Sequence, residues 1–338
     1  MFKISENGYL APDAYDVQNH LCVINCGELR EGSTLLWSKD QLQFYTSYIL
    51  EDKPIDRMFG GFIFNVIKTR DQSFIHPMFV GFGKPSRKKD WALWVDILFA
   101  RNANLNALHE AAGEGRKLDV WVTIPYPHAS QTDFGEVRDN DLDFTKTSDR
   151  IRAIRWWLDL FLKRWQKEKH LHDRLTLRGF VWQREAIDTN DAELVRRVNG
   201  LVHRRRCLSM WLPNFGSSGV MDWRNYGFDL AAVNSNFYGN NEYDHVWINN
   251  ASNFAKYYNT GMQINFGKGV LYNDTHHLDH FNLGLPEFND YMTKSFLVYK
   301  LPNHTLEEVY RERFVEYIRL YTFIKGLYQR VDYPGIPY

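Results

Sequence analysis

The stretch LTLRGFVWQREAIDTNDAELVRRVNGLVHRRR, residues 175–206, contains one complete unit of the fold. Leu175–Trp182 is a short run with β-branched and aromatic side chains and reads as a strand. The polar QRE at 183–185 leads out of it. From about Asn190 the period changes to that of a helix, with Leu194, Val198 and Leu201 on one face. Arg204, Arg205 and Arg206 close that helix, where its dipole favours cations. A strand followed at once by an amphipathic helix is the unit from which parallel sheets with crossover connections are built.

The same unit recurs in both directions along the chain. Upstream, Leu21–Cys26, Gly61–Ile67 and Asp119–Ile124 read as strands one to three. Ser38 with Gln41 has capping-box form and opens a first helix. A second helix starts near Lys88, with Trp91, Trp94, Val95 and Leu98 at helical spacing, and resumes over Asn106–Ala112 before Gly113 and Gly115. Ser148 is expected to cap the third, which carries Ile151, Ile154, Leu158, Phe161 and Trp165 on one stripe. Downstream, strands five to eight are Cys207–Leu212, Leu230–Val233, Met262–Phe266 and Ser295–Tyr299. The helix after strand five shrinks to a turn near Met221–Asn225, and the next lies near Ser252–Tyr258. A loop carries His276, His277 and His280. Thr305 with Glu308 opens a last helix to about Tyr328. Eight alternations predict an α/β chain folded as a single-domain (β/α)8 TIM-type barrel over 1–338, in which Leu21–Cys26 and Ser295–Tyr299 are neighbours. An open doubly wound sheet is the alternative, but no GxGxxG or Walker sequence follows strand one.

The composition narrows the function classes. Lys plus Arg and Asp plus Glu both number 41, so the chain carries no net charge with which to attract nucleic acid or an anionic membrane. Aromatic residues make up 16%, enough both to fill a core and to line a cleft. No apolar run reaches the length of a membrane span. The chain therefore reads as soluble. MFKIS at 1–5 lacks a signal-peptide core, so it is expected to be cytoplasmic, or secreted with its leader removed. Cys22, Cys26 and Cys207 have no metal-ligand spacing, and Cys22 and Cys26 share one face of a strand as small core residues.

A barrel collects its chemistry at the carboxyl ends of its strands. Those ends read Glu28, Asn65, Tyr126, then Trp182, Arg184 and Glu185, then Trp211 and Asn214, Asn236 and Tyr238, Gln263 and Asn265, and Tyr299. Flat aromatic faces stack on the C–H faces of sugar rings, amides pair with hydroxyls, and a carboxyl group can protonate a glycosidic oxygen. The set predicts a neutral carbohydrate as partner and no cofactor. Tyr126, Trp182, Trp211, Asn236 and Gln263 are expected to face one cleft with Glu185, and Arg184, as its neighbour leaving the strand, to point the other way.

GFVWQRE at 179–185, WLPNF at 211–215 with Gly219, Trp223, GFD at 227–229 and NFY at 236–238 follow in fixed order. IPYP at 124–127 with Phe134 and Gly135 precedes them, and FIKG at 323–326 with Tyr328 closes the series. This ordered set resembles the bacterial family called domain of unknown function 4855, over nearly the whole chain. That family is similar to barrel glycoside hydrolases, and the resemblance implies that Glu185 matches its best catalytic candidate. It also implies an Asp where this chain has Gly60, and acids where it has Gln263 and Asn265. Retaining and inverting hydrolysis both use two carboxyl groups, so a partner for Glu185 is required. Glu28 is the first choice, and Asp222 and Asp244 follow. Asp229, at the start of strand six, is excluded because it lies on the stability face.

Three readings follow. The first is a glycoside hydrolase-like enzyme acting on a polysaccharide, with Glu185 as general acid/base. The second is a carbohydrate-binding barrel that lacks the second carboxylate, and the third an interaction protein with no small ligand. His276, His277, Asp279 and His280 raise a metal site only to weaken it, since no HExxH is present.

Overall fold

In a parallel barrel each strand is covered on both faces, by the lumen packing inside and by the helices outside. Its strands are therefore apolar almost throughout, and here nearly every strand residue is buried. The computed structural model describes residues 8–27, 36–69, 73–75, 83–113, 115, 117–237, 245–266, 275–301 and 304–332. Eight parallel strands close on themselves: β1 (Leu21–Cys26), β2 (Gly61–Val66), β3 (Leu118–Ile124), β4 (Leu175–Trp182), β5 (Leu208–Trp211), β6 (Leu230–Asn234), β7 (Gly261–Asn265) and β8 (Leu297–Lys300). Leu21 pairs with Gly61 of β2 on one side and with Val298 of β8 on the other, which is the closure. An open sheet is thereby excluded.

Around this barrel stand α1 (Lys39–Thr46), α2 (Lys88–Leu98), α3 (Leu105–Ala111), α4 (Thr147–Lys167), α5 (Thr189–Arg204), α6 (Val246–Tyr258), α7 (His277–Leu283), α8 (Tyr291–Lys294), α9 (Leu306–Glu312) and α10 (Phe314–Ile324). Alternation along each strand divides the core in two. Leu21, Ile63, Trp121, Val181, Met210, Leu230, Ala232 and Val298 fill the lumen. Cys22, Phe62, Val122, Phe180, Trp211, Ile264 and Tyr299 face the helices. The chain before β1 runs beneath the barrel and plugs its amino end. Leu10 and Val17 join the lumen cluster, and Asp119 accepts bonds from Gln18 N (2.8 Å) and Arg178 Nε (2.8 Å).

The capping boxes at Ser38/Gln41 and Thr305/Glu308 form. Four expectations are corrected. Ser148 is not a cap: α4 already begins at Thr147, placing Ser148 inside its first turn. The helix expected near Ser252 starts earlier, at Val246. The His-bearing segment is not a loop but α7, with every residue of it buried. The last helix is broken at Arg313 (φ −141°), giving α9 and α10, and ends before Tyr328.

Candidate active site at the barrel mouth

The period of two that sends Leu21, Ile63, Val181 and Val298 inward continues to the carboxyl ends of the strands. There each strand, or the few residues beyond it, presents a polar side chain to the lumen. The set is Asn25, Asn65, Thr123, Gln183, Asn214, Asn234, Asn265 and Lys300. The amides are knitted together. Gln183 Nε2 donates to Asn65 Oδ1 (3.0 Å), Val66 O (2.5 Å) and Thr123 Oγ1 (3.3 Å), and Asn65 Nδ2 to Asn25 Oδ1 (2.8 Å). On the other side Asn265 Nδ2 donates to Asn234 Oδ1 (2.9 Å), and Asn234 Nδ2 to Asn214 Oδ1 (3.1 Å). Asn214 Nδ2 then donates to Glu185 Oε2 (2.9 Å), and Lys300 Nζ lies 3.4 Å from Glu185 Oε1.

Glu185 thus stands over the lumen with its side chain 41% exposed, at the end of an amide relay and beside a cation. With Lys300, Asn65, Thr123, Trp182 and Gln183 it lines a cavity of about 50 Å³. That is room for a few waters or for the edge of a ligand. Gln183 Oε1 is buried and has no hydrogen-bond partner among the described residues. A buried acceptor in this condition calls for a donor from water or ligand.

Arg184 turns away from the mouth, as adjacent residues leaving a strand do. Its guanidinium reaches Asp191 (2.6 Å), Asp188 (2.8 Å) and the Tyr126 hydroxyl (3.2 Å). Asp191 also accepts from Arg150 Nη2 (2.7 Å) and from the Tyr126 hydroxyl (2.7 Å). Burial, with the Asp191 carboxylate beside it, pushes the Tyr126 hydroxyl up to about 12. Tyr126 and Arg184 therefore belong to an ionic cluster behind the mouth, not to its lining.

Other expected site residues divide. Asn214 and Asn265 join the ring. Gln263 points into the lumen but donates to Ala232 O (2.5 Å) and Pro213 O (3.2 Å). Asn236 takes a left-handed φ of 59°, and its amide donates to Phe215 O (3.3 Å). Trp211 does not face the mouth: it falls on the outward phase of β5, stacks on Phe228 and donates from Nε1 to Arg184 O (2.7 Å). Tyr299, outward on β8, is fully buried against Phe59 and bonded to His20 Nδ1 (2.9 Å). The shared cleft of six residues is thus reduced, with Trp182 and Glu185 on the cavity wall and Tyr126 and Trp211 outside it.

Gly60 is no vacated acid position at the mouth. It precedes β2 at the barrel's amino end, and a Cβ there would meet Asn19 O at 2.5 Å. Asp222 is exposed on a 3-10 turn (Val220–Asp222), away from the cavity. Asp229 anchors the start of β5 by accepting from Ser209 N (2.7 Å), in keeping with its exclusion. Glu28, Tyr238 and Asp244 lie outside the described residues. His277 is engaged by Glu316 (2.6 Å), and among the described residues no group of three or more His, Cys, Asp or Glu is placed to hold a metal. No described helix is long and apolar enough to cross a membrane.

Sequence reasoning passed over Asn25, Thr123, Gln183, Asn234 and Lys300. Each follows a lumen residue by two, but both phases of these strands are apolar, so the lumen phase that would have found them shows only in the closed barrel.

A family model described as Domain of unknown function (DUF4855) matches residues 21–324. No curated protein matches the chain. Among solved structures, the catalytic module of a family 98 glycoside hydrolase from Streptococcus pneumoniae TIGR4 is similar at 10% identity and a TM-score of 0.43, covering 96% of this chain and 54% of that one. The chain thus spans about half the length of that module. A GH113 β-1,4-mannanase is similar at 11% identity and 0.42, covering 83% and 86%. The Bacillus cereus spore cortex-lytic enzyme SleL is similar at 8% and 0.44, covering 92% and 75%.

Proposed function

The chain belongs to the family described as domain of unknown function DUF4855, and within it we propose a glycoside hydrolase-like protein that takes a polysaccharide at its barrel mouth, with Glu185 as general acid/base. The observation that supports this is one carboxylate, half exposed, at a small cavity whose other polar groups include the Asn65 and Gln183 amides and the Thr123 hydroxyl, with Lys300 as its cation. Amides both donate and accept, as sugar hydroxyls do, and the unfilled Gln183 Oε1 suits a hydroxyl donor. Glu185 would deliver a proton to the leaving glycosidic oxygen. Glu28 is the proposed second carboxylate, about 5–5.5 Å away for retention or about 6.5–9.5 Å for inversion.

A second reading, a carbohydrate-binding barrel without hydrolysis, is favoured by the contacts Glu185 already makes with Lys300 and Asn214. One experiment separates the two. The purified protein is incubated with a panel of neutral polysaccharides, and reducing ends and binding are measured in parallel. Hydrolysis that falls by about 10²–10⁴-fold in Glu185→Gln while binding persists supports the enzyme. Binding without hydrolysis in the wild type, weakened by Gln183→Ala, supports the binding barrel. Wild-type rates in Glu185→Gln reject the assigned chemistry, and wild-type rates in Glu28→Gln reject only its partner.

A further inference from the structure

A separate site is suggested by the outer face of the helical ring. Arg155 of α4 and Arg196, Arg197 and Arg204 of α5 surround a groove of about 370 Å³, floored by Gly200 and Leu201. All four guanidinium-bearing side chains belong to exposed residues. Among the described residues only Arg197 of these four is matched by an acid, Glu193, one helical turn away (2.6 Å). Neighbouring carboxylates are engaged elsewhere, Asp159 by Arg205 (2.5 Å) and Asp149 by Arg152 (3.3 Å). Arg155 and Arg204 have no acidic partner among the described residues. Arg196 is held in place: its Nε donates to Asn225 O (3.3 Å) and its guanidinium lies over the Tyr226 ring (5.2 Å). Fixing it from behind lowers the entropy lost when a ligand binds at its tip.

The glycine is the second observation. Arg196, Gly200 and Arg204 are spaced by four and form one stripe along α5. Glycine is the least favourable helix-interior residue after proline. Its φ here is not left-handed, and a Cβ would meet only Arg204 Nη1, at an ordinary 3.6 Å. Neither backbone nor packing requires it. What it provides is a hollow between two guanidinium groups. A second hollow of about 200 Å³ shares Arg155 and is lined by Arg138, Arg152, Trp156 and Asp159, the last engaged by Arg205.

We propose that this groove binds a phosphate-bearing anion. Three unmatched arginines exceed what one carboxylate can neutralise, whereas a phosphoryl group offers about −1.5 to −2 charge and three acceptor oxygens to guanidinium forks. The phosphate could come from a soluble phosphorylated compound or from a lipid headgroup, and the test has an arm for each. Binding of tripolyphosphate to the full chain is measured by calorimetry at low and high salt. Binding of the chain to vesicles containing phosphatidic acid, whose headgroup is a phosphomonoester, is measured by co-sedimentation.

Two variants probe the site, Arg196→Gln with Arg204→Gln, and Gly200→Leu. The second fills the hollow while raising helix propensity, so it leaves the fold at least as stable. We expect salt-sensitive tripolyphosphate binding that each variant weakens by about tenfold or more, as loss of a charge-assisted contact does. Vesicle binding lost in the same variants would assign the site to a headgroup. Tripolyphosphate binding with no vesicle binding would assign it to a soluble phosphate. No binding of either probe by the wild type, or unchanged affinity in Gly200→Leu, overturns the proposal.

Discussion

Asp191 governs how the residues around Glu185 are arranged. It and Arg150 are each only 3% exposed, and Asp191 also holds Arg184 and the Tyr126 hydroxyl. Burial alone would raise its carboxyl, but the Arg150 and Arg184 guanidiniums and the Tyr126 hydroxyl outweigh burial and hold it below the usual range. A depressed carboxyl contributes stability above its unfolded value, near pH 4, and loses it as pH falls through the folded value. Asp191→Asn leaves two partly or wholly buried cations short of a partner, and such a loss costs about 3–5 kcal/mol. We therefore expect urea unfolding at pH 7 to show that deficit, and the gap between variant and wild type to narrow progressively below pH 4. A gap of equal size at pH 7 and pH 3 would show that ionisation of Asp191 is not what stabilises this corner. The same cluster explains why Arg184, adjacent to Glu185, does not share its cavity.

At the scale of elements, β4 shows how one glycine sets a strand's phase. Its register against β3 shifts between Leu177 and Gly179, and the extra residue, Arg178, turns to Asp119 at the barrel's amino end. Gly179 then passes so close to β5 that a Cβ would lie 1.8 Å from Leu208 O. Gly179→Ala forces the two backbones apart, and overpacking of this kind costs about 1–3 kcal/mol or more. A urea midpoint unchanged in that variant would disprove the close approach. Gly179 opens the GFVWQRE motif, so it also sets which of Trp182, Gln183, Arg184 and Glu185 faces inward. The position of every barrel strand was legible in the sequence to within a residue or two, because apolar runs bounded by polar turns mark them. Which face of each strand points inward was not legible, because both faces of a parallel barrel are apolar. Trp211 and Tyr299 were therefore placed at the mouth, and Gln183 and Lys300 were missed. Helix α7 was hidden for a different reason: histidines and an aspartate read as a polar loop, yet all of them are buried. Burial accordingly pulls the His280 imidazole down to about 4, so it packs as an uncharged ring.

At the scale of the molecule, the question is whether the closed barrel unfolds as one unit. The lumen layer and the helix-facing layer hang on the same strands, so neither can melt alone. The ladder is shortest at two places: β5 to β6, where only Met210–Leu230 and Trp211–Ala231 are in register, and β1 to β8, where only Leu21–Val298 and Cys22–Tyr299 are. A barrel that came apart in pieces would part at these seams, into β1–β5 and β6–β8. Against this, the pieces would expose apolar lumen residues on both sides, such as Met210 and Leu230, and would leave unpaired strand edges. We therefore propose that residues 21–324 unfold together as a single domain. Ile154→Ala in α4 and Ile264→Ala in β7 remove fully buried side chains from opposite sides of the seams, each at a cost of about 2–5 kcal/mol. Both should lower one common urea transition, seen alike by far-UV circular dichroism and by tryptophan fluorescence. If Ile264→Ala instead splits the curve and leaves a second transition at the wild-type midpoint, the barrel folds as two units joined at the short ladders, and the mouth ring is assembled only when they dock.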